Sequence, residues 1–150
     1  SRIRKISNQE LCDIYDVRAQ LEGYAAEIIC ENKISITDDL NLIVSKMIIA
    51  AKDSDAMQFA TLNHEFHLVI IKNVGNDILL NTWQTLNVQI KTFLIVHRLA
   101  KNLEMMANSH YPIIEAFETF DGKKARTEII NHIINNRPSD VVVSNHKKAN

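Results

Sequence analysis

Three histidines and one asparagine carry the side chains and the spacing of a metal site. Asn63 and His67 stand four positions apart, so on a helix their side chains project from one face. His110 and His132 follow at long range, and two further helices would bring them against that face. Three imidazoles and one amide oxygen would then line a single cavity and offer ligands to a divalent cation.

The elements that must position these residues are helices. Only three glycines and two prolines occur in 150 residues, and apolar residues recur at intervals of three and four. The clearest predicted helices cover about residues 8–31, 37–52, 76–98 and 123–135, and two more lie between them. Amphipathic helices with short connections bury their apolar stripes against one another. We therefore expect an all-α fold, an antiparallel bundle of six to seven helices.

The two remaining helices depend on local signals at their ends. Asp53 or Ser54 is predicted to cap the third helix, and Gly75 to end it in the left-handed conformation. Pro112 lies inside the apolar pattern of the fifth helix. That helix therefore either kinks at the proline or begins only near Ser109.

Hydropathy, cysteine placement and charge limit the class of protein. The longest apolar stretches fall far short of the roughly 20 residues that a membrane span requires, and no apolar block follows the basic N-terminus. Cys12 and Cys30 lie on one predicted helix, too far apart for a disulfide, so we expect a reducing, cytoplasmic location. The net charge is −1, and the body of the chain has no cluster of Lys and Arg that would bind DNA.

Four short motifs occur in a fixed order along the chain. They are Arg18-Ala19-Gln20-Leu21-Glu22, Asn63-His64-Glu65-Phe66-His67 followed by Gly75-Asn76, His110-Tyr111-Pro112-Ile113-Ile114-Glu115-Ala116, and His132 on the last helix. In order and spacing, this set resembles the FCD ligand-binding domain of GntR-type bacterial transcription regulators. Each motif alone is weak, but four in register make a strong joint signal. The chain is interpreted as one such domain over residues 1–150, with a polar tail at 137–150.

The resemblance implies a sensing function rather than an enzymatic one. In that family these positions bind a divalent metal, and a small carboxylate or hydroxy acid commonly completes the coordination. Carried over, this implies Asn63, His67, His110 and His132 as ligands of zinc, nickel or a similar cation. The resemblance also implies a homodimer that contacts DNA only through a separate N-terminal winged helix-turn-helix domain, to which nothing in this chain corresponds.

Asn63 departs from the pattern of many metal-binding members, which have aspartate at this position. A neutral amide leaves a divalent cation with its full charge, so metal affinity should fall and attraction for an anionic effector should rise. The alternative interpretation is that Asn63 is a polar filler that bonds to His67 or to water.

Arg18 and Asn63 are the candidate effector-binding residues. The planar fork of Arg18 matches a carboxylate, but a salt bridge to Asp121, Glu22 or Glu104 would explain the residue equally well. Glu22 is expected to anchor Arg18 or a helix end.

Two other functions remain open from the sequence. A His-rich site with open positions can activate water, as in a small metal-dependent hydrolase. Glu65 is the candidate general base for such an enzyme, although it points to another face of its helix than His67. His64 also points away from Asn63 and is expected to face solvent or a neighbouring helix. The third possibility is a metal-free structural dimer of helices.

Overall fold

The architecture is helical throughout the part of the chain that the structure describes. The computed structural model describes residues 6–97 and 102–137. Its helices are α1 (Asn8–Glu31), α2 (Thr37–Lys52), α3 (Ala56–Lys72), α4 (Asp77–His97), α5 (Leu103–Asn108), α6 (Tyr111–Glu118) and α7 (Gly122–Asn135). No strand occurs within these two ranges, which confirms the predicted all-α fold.

Side-chain caps begin the first and last of these helices. Ser7-Asn8-Gln9-Glu10 has the sequence of a capping box, and the backbone N–H of Glu10 donates to Ser7 Oγ at 3.0 Å, which is half of that motif. The backbone N–H of Lys124 donates to Asp121 Oδ1 at 3.1 Å. These local bonds explain why α1 and α7 begin close to the positions predicted from sequence.

The start of α3 differs from the prediction. The cap is Asp55, whose carboxylate accepts from the backbone N–H of Gln58 at 3.1 Å. Asp53 is the C-cap of α2 instead, and Ser54 has a φ of 53°, a left-handed conformation that ends a helix. Gly75 has the predicted positive φ, at 79°.

The predicted fifth helix is two helices. α5 ends at Asn108 and α6 begins at Tyr111, with Pro112 in the first turn of α6. Proline has no backbone N–H, which a helix interior needs and a first turn does not. Pro112 therefore starts α6 rather than kinking a longer helix, and His110 occupies the N-cap position between the two.

α1 packs more extensively against α7 than any other pair of helices packs in the described part of the chain. A side chain at Gly23 would place its Cβ 2.9 Å from Ile130 Cδ1 and 3.2 Å from Arg126 Cγ, so glycine permits this close approach. The contact holds α7, and with it His132, against α1.

Other predictions concern the cysteines, the membrane and the chain ends. Cys12 and Cys30 both lie on α1 and form no disulfide with each other, as predicted, and both side chains are buried. Among the described helices, none is both long and apolar enough to cross a bilayer. The polar tail beyond Arg137 and the predicted end of the fourth helix at Arg98 lie outside the described residues.

Candidate metal centre

Three imidazoles from separate parts of the chain converge inside the bundle. His67 comes from α3, His110 from the junction of α5 and α6, and His132 from α7. One nitrogen of each ring lies within 4.8 Å of one nitrogen of each other ring, and all three residues are buried. The side chains that the sequence separates by tens of residues thus lie close enough to share one cation.

Glu22 binds His67 at one of its two ring nitrogens, Nδ1. The Nδ1–H of His67 donates to Glu22 Oε1 at 2.5 Å. This bond fixes the tautomer of His67, in which Nε2 carries the lone pair that could bind a cation. A carboxylate behind a histidine is the arrangement that orients metal-binding imidazoles and raises their basicity.

The other two histidines also have polar protein groups at Nδ1, which for His132 include the amide nitrogen of Asn136 at 3.4 Å. His110 Nδ1–H donates to the backbone carbonyl of Met106 at 2.8 Å. His132 Nδ1 lies 3.3 Å from the hydroxyl oxygen of Ser109. Each imidazole therefore has its Nδ1 within hydrogen-bonding distance of a protein group, and Nε2 is the ring atom that remains to bind a cation.

Asn63 contacts His110, whereas the filler interpretation proposed His67 or water as its partner. Its Oδ1 atom lies 2.9 Å from His110 Nε2. Since the Nδ1–H of His110 already donates to Met106, both Nε2 and an amide oxygen are acceptors. Two facing acceptors are stable if the amide turns to donate from its nitrogen, or if a cation binds both. Neighbouring ligand atoms about 2.1 Å from one cation are roughly 3.0 to 3.4 Å apart, so the 2.9 Å between Asn63 Oδ1 and His110 Nε2 is close to the spacing of two ligands of one metal.

Arg18 makes the salt bridge to Glu22, one of the three partners considered from the sequence. Its Nε donates to Glu22 Oε2 at 2.7 Å, and both side chains are buried. The Nε1–H of Trp83 donates to the same oxygen at 3.0 Å. Glu22 thus accepts three hydrogen bonds, from α1, α3 and α4. The bond from Arg18 uses Nε alone, so the outer N–H groups of its guanidinium remain to bind an anion.

The charges of these buried groups follow from their surroundings. Burial alone would raise the pKa of Glu22, but His67 and Arg18, with the hydrogen bonds from His67 and Trp83, lower it to about 2. Burial, reinforced by His67, lowers the pKa of His110 to about 3. Burial also lowers the pKa of His67, against the opposing effect of Glu22, and that of His132. The imidazoles are therefore neutral at neutral pH, which is the form that binds metal.

Acid is expected to destabilise the metal-free protein. In the unfolded chain His110 regains its ordinary pKa of 6.5, so between pH 6.5 and 3 the unfolded state binds more protons than the folded one. Stability therefore falls as pH falls, by up to about 1.4 kcal/mol per pH unit for such a group. Glu22, lowered from 4.5 to about 2, adds to the loss below pH 4.5. Urea midpoints of chelator-treated protein at pH 7.5, 6 and 5 should decrease in that order. A constant or rising midpoint would contradict the burial of neutral imidazoles.

The remaining candidates lie outside the cluster. His64 faces helix α4, where Asn87 Nδ2 donates to its Nδ1 and its ring lies 5.3 Å from that of Trp83. Glu65 is exposed. The side chains of His97 and His146, interpreted from sequence as surface residues, lie outside those that the structure describes.

Sequence reasoning missed three contacts of the site, two made by Glu22 and one made by Ser109. Glu22 was expected to anchor Arg18, but its bonds to His67 and Trp83 were not foreseen. The one signal was its place four residues after an arginine, on the face of α1 that faces the core. Ser109 behind His132 had no signal, because its position depends on where α5 ends.

Comparisons with known proteins show which family and fold the chain shares. The model of the FCD domain family matches residues 13–135. A probable D-xylose utilization operon transcriptional repressor from Paenarthrobacter nicotinovorans is 26% identical over 133 residues. That match covers 89% of this chain and 59% of the relative, so the chain spans less than two thirds of the relative's length. The solved structure of E. coli McbR/YncC has a TM-score of 0.81 at 18% identity, covering 95% of this chain and 72% of that one, a likeness of fold.

Proposed function

The chain belongs to the FCD domain family, as its resemblance to the sensing domain of GntR-type regulators predicted. We propose that it binds a divalent metal together with a small organic acid. The acid would change DNA binding by a separate N-terminal domain. The observation that carries this proposal is the convergence of three buried imidazoles with Asn63 beside one of them.

His67, His110, His132 and Asn63 would hold the metal. These ligands suit zinc or nickel, and imidazole alone does not choose between them. A bound cation supplies open coordination positions that a carboxylate or hydroxy acid fills. The protein's own contribution is orientation: Glu22 fixes the tautomer of His67, and backbone and hydroxyl groups fix the other two rings.

Arg18 and Asn63 would face the acid. The guanidinium of Arg18 is held at its Nε by Glu22, and this bond does not use its outer N–H groups. Arg18 is also near enough to lower the pKa of all three imidazoles. A carboxylate placed between the metal and Arg18 would therefore meet positive charge on both sides.

The effector signal would pass from the site to α1 and α4 through Glu22. This residue lies on α1 and binds His67 of α3 and Trp83 of α4, so movement of the His67 ring changes bonds on two further helices. Effector binding would favour one arrangement of these helices by its differential affinity. Each arrangement would hold the DNA-binding domains of a dimer at a different spacing.

A second copy of the chain is proposed to cover the exposed apolar stripe of α1. Val17 and Tyr24 lie seven positions apart on one face of the helix and are 49% and 45% exposed, with the partly buried Leu21 between them. Apolar stripes of this kind are characteristic of protein interfaces. A homodimer would bury the stripe, and a cytoplasmic location follows for a regulator that acts on DNA.

The hydrolase hypothesis is not supported. The matched family and the relative are transcription regulators rather than enzymes. Glu65, the candidate general base, is exposed on α3, on another face than His67.

Native mass spectrometry of mildly purified protein tests the proposal. We expect the mass of two chains and one metal ion per chain. Adding Zn²⁺, Ni²⁺ or Mn²⁺ to stripped protein should raise its melting temperature, because a ligand at 100 times its Kd adds about 2.7 kcal/mol to the free energy of unfolding. If no metal is retained and none raises the melting temperature, the metal-free structural dimer is the correct interpretation.

A further inference from the structure

The charges around the three histidines sum to zero. Arg18 and Glu22 form a buried ion pair in which the cation and the anion cancel. Imidazoles that bind a metal are neutral, and Asn63 contributes a neutral amide. Apart from the histidines themselves, two charged side chains among the described residues shift the pKa of the three imidazoles. They are Arg18 and Glu22.

A divalent cation in this site would therefore keep both of its charges. A buried charge without a counter-charge costs several kcal/mol, so it strongly favours any anion that enters with it. One carboxylate would cancel half of the metal's charge, and a second would cancel the rest. The position of the second negative charge is given by Arg18, whose outer N–H groups are not used by Glu22.

On this basis, and resting on the proposed function, we propose that Asn63 makes the loaded site selective for dianions, so that its effector is a small dicarboxylate rather than a monocarboxylate. One carboxylate completes the coordination of the metal and the other pairs with Arg18. Asn63 is the residue that determines this preference, because its amide lies against His110 Nε2 where a carboxylate would supply the missing negative charge.

Asn63→Asp tests the inference with almost no change of shape. The variant adds one negative charge beside His110, so the loaded site would need only one charge from the effector. Asn63 is partly buried rather than enclosed, and aspartate fits the same space. Asn63→Ala is the matched control, since it removes the amide oxygen without adding charge.

The probes are Zn²⁺, succinate and butyrate. The two acids share a four-carbon skeleton and differ by one carboxylate, and binding to zinc-loaded protein is measured by titration calorimetry. Wild type should bind succinate at least about tenfold more tightly than butyrate. Asn63→Asp should reduce this ratio at least about tenfold. Asn63→Ala should bind zinc and both acids more weakly, because it lacks the amide oxygen, but without this reduction of the ratio. Native mass spectrometry checks that the zinc remains bound during the titration.

Zinc affinity gives an independent readout. Without any organic acid, Asn63→Asp should bind Zn²⁺ at least about tenfold more tightly than wild type. Succinate should raise the zinc affinity of wild type more than that of the variant, because the coupling between two ligands is reciprocal.

Two results separate this inference from the function on which it rests. If wild type loads zinc but binds butyrate as tightly as succinate, or if Asn63→Asp keeps the preference of wild type, the inference is wrong and the metal site stands. If wild type does not take up zinc, the proposed function is wrong and the inference falls with it.

Discussion

Replacing Glu22 with alanine is expected to lower the free energy of unfolding by about 3 to 5 kcal/mol, as removal of one partner of a buried ion pair does. Glu22 is fully buried and accepts hydrogen bonds from Arg18, His67 and Trp83. Its removal leaves the guanidinium of Arg18 buried without a counter-charge. It also leaves two further donors, one imidazole and one indole N–H, without their acceptor.

Urea unfolding of the metal-free protein at neutral pH measures this loss. Glu27→Ala is the matched control, because Glu27 lies on the same helix and binds Arg126 at 3.3 Å, but both side chains of that pair are about a third or more exposed. A partly exposed ion pair of this kind adds at most about 1 kcal/mol to the free energy of unfolding. Equal losses for the two variants would show that the Glu22 network does not stabilise the fold as its geometry indicates.

The second large effect is on metal uptake. Under the proposed function, His110→Ala should lower zinc affinity by at least about 100-fold, more than the loss of a group that only orients a ligand. His110 lies at the centre of the arrangement: its ring is 4.3 Å from that of His132 and 5.8 Å from that of His67, and its Nε2 faces Asn63. Calorimetry and metal analysis of dialysed protein measure the change.

His64→Ala is the control for that experiment. It removes an imidazole that lies against Trp83 and Asn87, outside the cluster, and zinc affinity should stay within a few-fold of wild type. Circular dichroism should show the same helical signal for wild type and both variants. Zinc uptake by His110→Ala equal to that of wild type would remove this residue from the site.

Helix boundaries were predictable because their causes are local. The capping box at Ser7 and the apolar repeat behind it gave α1 its observed limits, and Asp121 caps α7 within one residue of the predicted start. Errors occurred where two local signals compete. Three consecutive residues, Asp53 to Asp55, all suit a cap, and the choice depends on how α2 ends.

The contacts of the site were less predictable because they depend on the relative placement of helices. The motifs predicted that the three histidines lie close together, and in the structure their rings do. The partner of Asn63 could not be derived from its own helix, where His67 is the natural neighbour four residues on. His110 reaches Asn63 from the N-cap position of α6, at a junction between two helices that the sequence pattern joined into one. Metal ligation by these four residues stays a prediction.

Trp83 gives the domain a built-in optical reporter. It is the single tryptophan of the chain, and it is fully buried with its indole N–H on Glu22. The other oxygen of that carboxylate holds His67, so the emitting ring is two hydrogen bonds from the imidazole cluster. Indole emission responds to such changes in polarity and bonding. The state of the site can therefore be followed in unlabelled protein, in solution and in real time.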